Sequence, residues 1–126
     1  MEMLGQILSS YLQKKPEVKL VYLFGSQVSG LTNRLSDIDV AILVDKMPEG
    51  PSYPYGYKAK ICSDLMELLK TNRIDLVILN DAPSLLKHRV VSSGHLIYAF
   101  NETCRVQFQE DAIRRYLDLK PLLMAA

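Results

Sequence analysis

The 126-residue sequence predicts one α+β or α/β domain, a β-sheet with helices packed against it. Three observations support this. Short apolar runs rich in β-forming residues recur along the chain. Helical apolar periodicity lies before, between and after them. No repeat, low-complexity tract or linker divides the pattern, and the length suits a single domain spanning residues 1–126.

The elements follow in order. Met3, Leu4, Ile7, Leu8, Tyr11 and Leu12 recur at helical spacing, which predicts a helix over 2–14 closed by Lys14, Lys15 and Pro16. Val18 to Phe24 reads as a buried strand. Residues 25–36, rich in Gly, Ser, Thr and Asn, read as a turn containing one helical turn. Asp37 to Val44 is the clearest strand. Pro48, Gly50, Pro51, Pro54 and Gly56 make 47–56 a loop within the domain. Ile61, Leu65, Leu68 and Leu69 mark a helix that stops near Thr71–Asn72, and Ile74 to Leu79 is a third strand. Leu85 to Val91 fits a short helix closed by Gly94. Leu96 to Phe100 is a fourth strand. Val106, Ile113, Tyr116 and Leu117 fit one face of a long final helix, expected to be a packing face.

Composition narrows the function. An apolar content of 48% supplies one ordinary core, and a net charge of +1 argues against a chain that coats nucleic acid. No apolar run reaches the roughly 20 residues of a membrane-spanning helix, and Met1 to Tyr11 lacks the pattern of a secretory signal, so a cytoplasmic location is expected. Cys62 and Cys104, outside any CxxC spacing, read as small buried hydrophobes of a reducing compartment.

The chemistry is concentrated in aspartates. Asp37 and Asp39 open a strand that otherwise reads Val-Ala-Ile-Leu-Val, and as i and i+2 they project to one face. Two carboxylates side by side on an apolar strand repel each other and lose hydration. A hard divalent cation with oxygen ligands offsets that cost. Asp75 also opens an apolar strand. If the two strands are neighbours, the three carboxylates converge at one sheet edge and can hold two Mg²⁺ ions, one for the attacking oxygen and one for the leaving phosphate. Taken singly, each aspartate also fits a plain turn or cap.

Gly25-Ser26 directly follows the first strand. The glycine permits positive φ and close approach, and Ser26 with its neighbouring N–H groups can wrap a phosphate oxygen, although a simple tight turn explains the pair equally well. The stretch Gly25 to Thr32 nearly matches a P-loop, but Leu31 stands at the lysine position. His88 and His95 have no partner at metal-ligand spacing and read as solvated surface residues. Tyr53, Tyr55 and Tyr57 alternate in the Pro/Gly loop, either solvated or as a docking edge.

Phe24-Gly25-Ser26, then ten residues, then Asp37-Ile38-Asp39-Val40, with Arg73-Ile74-Asp75-Leu76-Val77 later, resembles the signature of the polymerase β-type nucleotidyltransferases. More narrowly the chain resembles the minimal nucleotidyltransferases, including the MntA-type antitoxins of HEPN/MNT toxin–antitoxin pairs. The likeness runs over roughly residues 18–100, and Arg115 to Pro121 is similar to the ending of many antitoxin members.

The resemblance implies a two-layer fold with a mixed sheet of about four strands. It implies that Gly25 and Ser26 grip a nucleoside triphosphate, with Ser36 and Arg34 beside them. Asp37 and Asp39 would bind both Mg²⁺ ions, and Asp75 would bind one and help deprotonate an acceptor hydroxyl. It further implies transfer of AMP from ATP to a tyrosine of a partner HEPN ribonuclease toxin, and so an antitoxin role. Two departures stand out: Gln27-Val28-Ser29 replaces the basic residue that many relatives carry after Gly-Ser, and the sequence stops shortly after Pro121, a little short for the antitoxin subgroup. No second substrate-binding domain is expected in this sequence. The acceptor must then arrive on a partner, in an oligomer with itself or with another protein. Two other readings fit the residues less well, an antitoxin that neutralises by contact alone and a transferase acting on a small molecule such as an aminoglycoside.

Overall fold

The computed structural model describes residues 2–25 and 37–124. The helical turn expected within 25–36, and Ser26, Arg34 and Ser36, lie outside the described residues. The elements are α1 (Glu2–Leu12), β1 (Val18–Phe24), β2 (Ile38–Val44), α2 (Tyr57–Leu69), β3 (Ile74–Ile78), a 3₁₀ turn (Leu79–Asp81), α3 (Ser84–Ser93), β4 (His95–Ala99) and α4 (Glu102–Met124). The strands form one mixed sheet in the order β3-β2-β1-β4. β1 runs antiparallel to both β2 and β4, and β2 runs parallel to β3. The α+β class and the four-stranded mixed sheet agree with the sequence.

β1 is central and buried on both sides, which is why it reads as an unbroken apolar run. Val18, Val21 and Leu23 join one core with Leu8 and Leu12 of α1 and Ile61 and Leu65 of α2. Leu20, Tyr22 and Phe24 join the other with Val90 of α3, and Phe108 of α4 packs against it. The pairing shifts between Val18 and Leu20, and this irregularity switches the alternation there. Helices therefore cover both faces, and the expected two layers become three.

Local chemistry sets the boundaries. β3 ends at Ile78 because Asn80 takes over the edge of β2: its Nδ2 donates to the Val44 carbonyl (2.7 Å) and its Oδ1 accepts from the Val44 N–H (3.0 Å). α2 stops at Lys70, which adopts the left-handed conformation with φ 54°. Gly94 ends α3 for a different reason. Its φ is −80°, so no left-handed turn is needed, but a Cβ there would stand 2.3 Å from the Val90 carbonyl oxygen and 3.2 Å from that of Leu23.

Four expectations are corrected. Of the expected face of α4, Val106, Ile113 and Leu117 turn outward and Tyr116 alone packs inward, and the helix meets the sheet through Ala112 and Phe108. Leu68 of α2 is likewise exposed. Gln109 anchors α4 by donating to the Tyr22 hydroxyl (2.8 Å) while accepting from Arg105 (2.8 Å). Second, His88 is half-buried and stacks on Tyr116 of α4, with ring centroids 3.6 Å apart and 7° between planes. His95 is exposed, as expected. Third, the tyrosines of the loop divide. Tyr57 is buried at the start of α2 and donates to Glu17 (2.8 Å), Tyr53 packs against the same core, and Tyr55 alone of the three is exposed. Fourth, Cys62 and Cys104 are free thiols of intermediate exposure rather than fully buried.

Candidate active site

The C-terminal end of β1 and the N-terminal ends of β2 and β3 meet at one end of the sheet. Phe24 pairs with Asp39 across the antiparallel ladder, and Asp39 pairs with Asp75 across the parallel one. The two carboxylates are thus in register on adjacent strands. They share the parity of Ala41 and Val77, whose side chains face the core under α3 and α4. The period-2 argument therefore places both on that face, beside Arg89 of α3.

Gly25 follows directly, with φ +78°. Its backbone lies against the carboxylate of Asp39, so that a Cβ would stand 2.1 Å from Asp39 Oδ2. The positive φ expected of this glycine is present, and the close approach, expected toward a ligand, is made here within the chain. What it approaches is the aspartate at the start of the next strand.

Asp37 precedes β2 and is exposed. It pairs with Arg73, Nη1 to Oδ1 at 3.7 Å, and the Arg73 carbonyl accepts from the Ile38 N–H at 2.8 Å. The structure therefore brings Asp39 and Asp75 together and holds Asp37 beside Arg73. Among the described residues no three His, Cys, Asp or Glu side chains gather into a ready-made metal cage. The three-fold convergence expected from the sequence is, in these residues, a close pair with a third carboxylate near enough to be felt.

The electrostatics show that influence. The Asp39 carboxyl is held above its ordinary range, first by burial, then by the charge of Asp75 and that of Asp37, while Arg89 opposes the shift. Each of the first three makes the ionised form costlier. A donor set of carboxylate oxygens under mutual repulsion suits a hard divalent cation such as Mg²⁺. Arg73 and Arg89 are site residues that sequence reasoning did not single out. The signal for Arg73 was its place two residues before Asp75, opposite Asp37 once the strands are aligned; Arg89 carried none, since α3 reaches the site only through tertiary packing.

Asp75 is exposed and lines a groove of about 400 Å³ along the outer side of β3, with Met47, Lys58, Asp81, Pro83 and Leu86. A larger groove of about 690 Å³ lies between α1 and β4, lined by Gly5, Gln6, Ser9, Ser10, His95, Leu96 and Ile97. It carries a single titratable side chain, so the carboxylate end of the sheet is the better candidate despite its smaller groove.

Residues 6–103 match the family described as Polymerase beta, Nucleotidyltransferase. The chain is 35% identical over 91 residues to the protein adenylyltransferase MntA of Aphanizomenon flos-aquae, covering 69% of this chain and 61% of that protein. It is 31% identical over 83 residues to the protein adenylyltransferase MntA of Shewanella oneidensis, covering 66% of this chain and 55% of that protein. The matches therefore span less than two thirds of the length of these curated relatives. Among solved structures, a toxin–antitoxin crystal structure with AMP-PNP superposes with a TM-score of 0.79 at 26% identity, covering 96% of this chain and 93% of that one.

Proposed function

The chain belongs to the Polymerase beta, Nucleotidyltransferase family, and from that premise we propose that it transfers AMP from ATP to a hydroxyl on a partner protein, a tyrosine of a HEPN-type toxin, and so acts as an antitoxin. The observation that carries this reading is the registered pair Asp39 and Asp75 with Gly25 pressed against Asp39. The names of the two adenylyltransferase relatives support the reaction, and the toxin–antitoxin neighbour with AMP-PNP supports the nucleotide and the kind of partner. The absence among the described residues of any helix long and apolar enough to cross a membrane is compatible with action in the cytoplasm.

In this reading Gly25 and Ser26 hold the triphosphate by backbone approach and hydroxyl donation, with Ser36 and Arg34 beside them. Asp37, Asp39 and Asp75 hold Mg²⁺. Bound there, Mg²⁺ supplies the positive charge that offsets carboxylate repulsion and steadies negative charge on the reacting phosphates. Asp75, on the exposed outer strand, accepts the proton of the acceptor hydroxyl. The acceptor oxygen forms a bond to the α-phosphorus, the bond from that phosphorus to the bridging oxygen breaks, and pyrophosphate leaves. No His or Cys nucleophile is needed, because the acceptor oxygen itself attacks.

The test is the intact mass of the co-expressed partner after incubation with this chain, Mg²⁺ and ATP, beside an Asp37→Ala/Asp39→Ala control. The expected result is a gain of one or more AMP units that the control lacks. A tight complex with no mass gain would overturn the transfer reaction in favour of neutralisation by contact. Mass gain on a small molecule, with none on protein, would overturn the choice of acceptor.

A further inference from the structure

The outward face of α4 carries a pattern that the proposed chemistry does not use. Val106, Ile113, Leu117 and Met124 are 39%, 43%, 57% and 74% exposed. At about 100° per residue these four fall within roughly 20° of a single line along the helix. The face that packs on the sheet, through Phe108 and Ala112, lies elsewhere on the cylinder. A straight row of large apolar side chains facing water over five turns is unusual for a helix whose other side already has its core.

The spacing of the row is symmetric: seven residues, then four, then seven. It reads the same from either end, about the turn that holds Arg115. Two such helices laid antiparallel across a two-fold axis therefore match layer for layer. Val106 meets Met124 of the other copy and Ile113 meets its Leu117, each pairing occurring twice, as an isologous interface requires. Between these layers, about 40° to either side of that line, stand Glu110 and Lys120, equally distant along the helix from the centre. In the antiparallel arrangement Glu110 of each copy faces Lys120 of the other. In a parallel arrangement glutamate would face glutamate and lysine would face lysine. Both side chains are exposed, and among the described residues neither takes an ion pair within its own chain. The layers from Glu110 to Lys120 also precede Pro121, which removes one bond of the helix ladder, so regular helix carries the register.

We propose that α4 is a self-association surface, through which two copies of this chain pair antiparallel with four apolar layers interrupted by two Glu–Lys layers. Val106, Glu110, Ile113, Leu117, Lys120 and Met124 fall at successive d and a positions of a two-stranded seam, four of them apolar. Charge complementarity and palindromic spacing select a second copy over an unrelated partner, because a different protein would impose no symmetry on the row. A single helix pair sits at the low end of specific interface sizes, so dissociation constants of about 1–10 µM are expected.

The experiment is sedimentation velocity of the whole chain over about 1–100 µM, a range that brackets such a constant, with far-UV circular dichroism to confirm that each variant folds. Wild type is expected to shift from monomer to dimer across the range. Glu110→Lys alone and Lys120→Glu alone should each lose the dimer, since both layers then hold like charges. An equimolar mixture of these two variants should recover it, because every charged layer in the mixed dimer again pairs lysine with glutamate. A wild-type chain that stays monomeric throughout would overturn the proposal, including the case in which Leu117→Lys weakens capture of a toxin partner, which would assign the row to that partner instead. A dimer that persists in both single variants, or a mixture that fails to restore it, would overturn the antiparallel register.

Discussion

Replacing Gly25 by alanine tests the contact on which the site is built. Two costs are expected. The residue has φ +78°, a left-handed conformation that costs an L side chain about 1–2 kcal/mol. A Cβ there would also stand 2.1 Å from Asp39 Oδ2 and 3.1 Å from its Cγ, so the carboxylate must move, an overpacking cost of about 1–3 kcal/mol. Gly25→Ala should therefore lower the unfolding free energy by about 2–5 kcal/mol in the wild-type background, by adding these two ranges. In an Asp39→Ala background Oδ2 and Cγ are gone, and the remaining Cβ lies 3.5 Å away, an ordinary contact. There the same substitution should cost only the backbone term, about 1–2 kcal/mol. The coupling between the two positions should thus reach about 1 kcal/mol or more, above the ~0.3–0.5 kcal/mol within which independent sites add. The chain contains no tryptophan, so urea unfolding is best followed by far-UV circular dichroism. Gly50→Ala makes a useful control, with φ +118° but nothing within 4 Å of the added Cβ. Additive single-substitution costs would refute the reasoning, because the Asp39 carboxylate would then not be what excludes a side chain at residue 25.

Four further outcomes follow from the same structure. Asp39→Asn should abolish AMP transfer yet leave the melting temperature at pH 7, in chelator, unchanged or higher. The carboxyl of Asp39 is raised on folding, first by burial, so the stability its neutral form contributes is present at acid pH and lost as pH rises through the folded value; the wild-type-to-variant gap should close on acidification, and a large loss of stability at neutral pH would contradict this. Asp64 behaves oppositely: burial pushes its carboxyl up, but the hydrogen bonds from Tyr11 (2.6 Å) and Lys60 (3.1 Å) outweigh it and hold the group below its ordinary range. Its contribution is present above the ordinary carboxylate range and lost as pH falls through the lowered value, so the small difference in melting temperature between wild type and Asp64→Asn should begin to shrink as the pH falls below about 4 and disappear only below the lowered value. Tyr57→Phe removes the hydroxyl that donates to Glu17 and should cost about 1.5 kcal/mol in urea unfolding; no change would mean that water replaces the bond without loss. A double-mutant cycle of His88→Ala with Tyr116→Ala should return a coupling of about 0.5–1.5 kcal/mol for the stacked rings, and zero coupling would show that α3 and α4 hold together without them.

Much of this protein is legible in its sequence, because the relevant physics acts within a few residues. A strand buried on both faces must be apolar throughout, and β1 reads so from Val18 to Phe24. A helix with one buried stripe must repeat every three or four residues, and Leu4, Leu8, Tyr11 and Leu12 do. Asp39 and Asp75 stand out because carboxylates opening apolar strands are costly without compensation, and Gly25 because a turn directly after a strand favours positive φ. What folding alone decided is which of these features face each other. The registry of Asp39 with Asp75, the pressure of Gly25 on the Asp39 carboxylate, the approach of Arg89 and the stacking of His88 on Tyr116 all depend on pairing across long stretches of chain. Local periodicity also cannot tell which stripe of a helix meets the core. In α4 the apolar row Val106, Ile113 and Leu117 reads as a packing face, yet burial goes to Phe108 and Ala112, because the anchor of Gln109 on Tyr22 and the stack of Tyr116 on His88 set the rotation of the helix. Period is a property of neighbours in the chain, whereas the choice of partner is a minimum over the whole packed molecule.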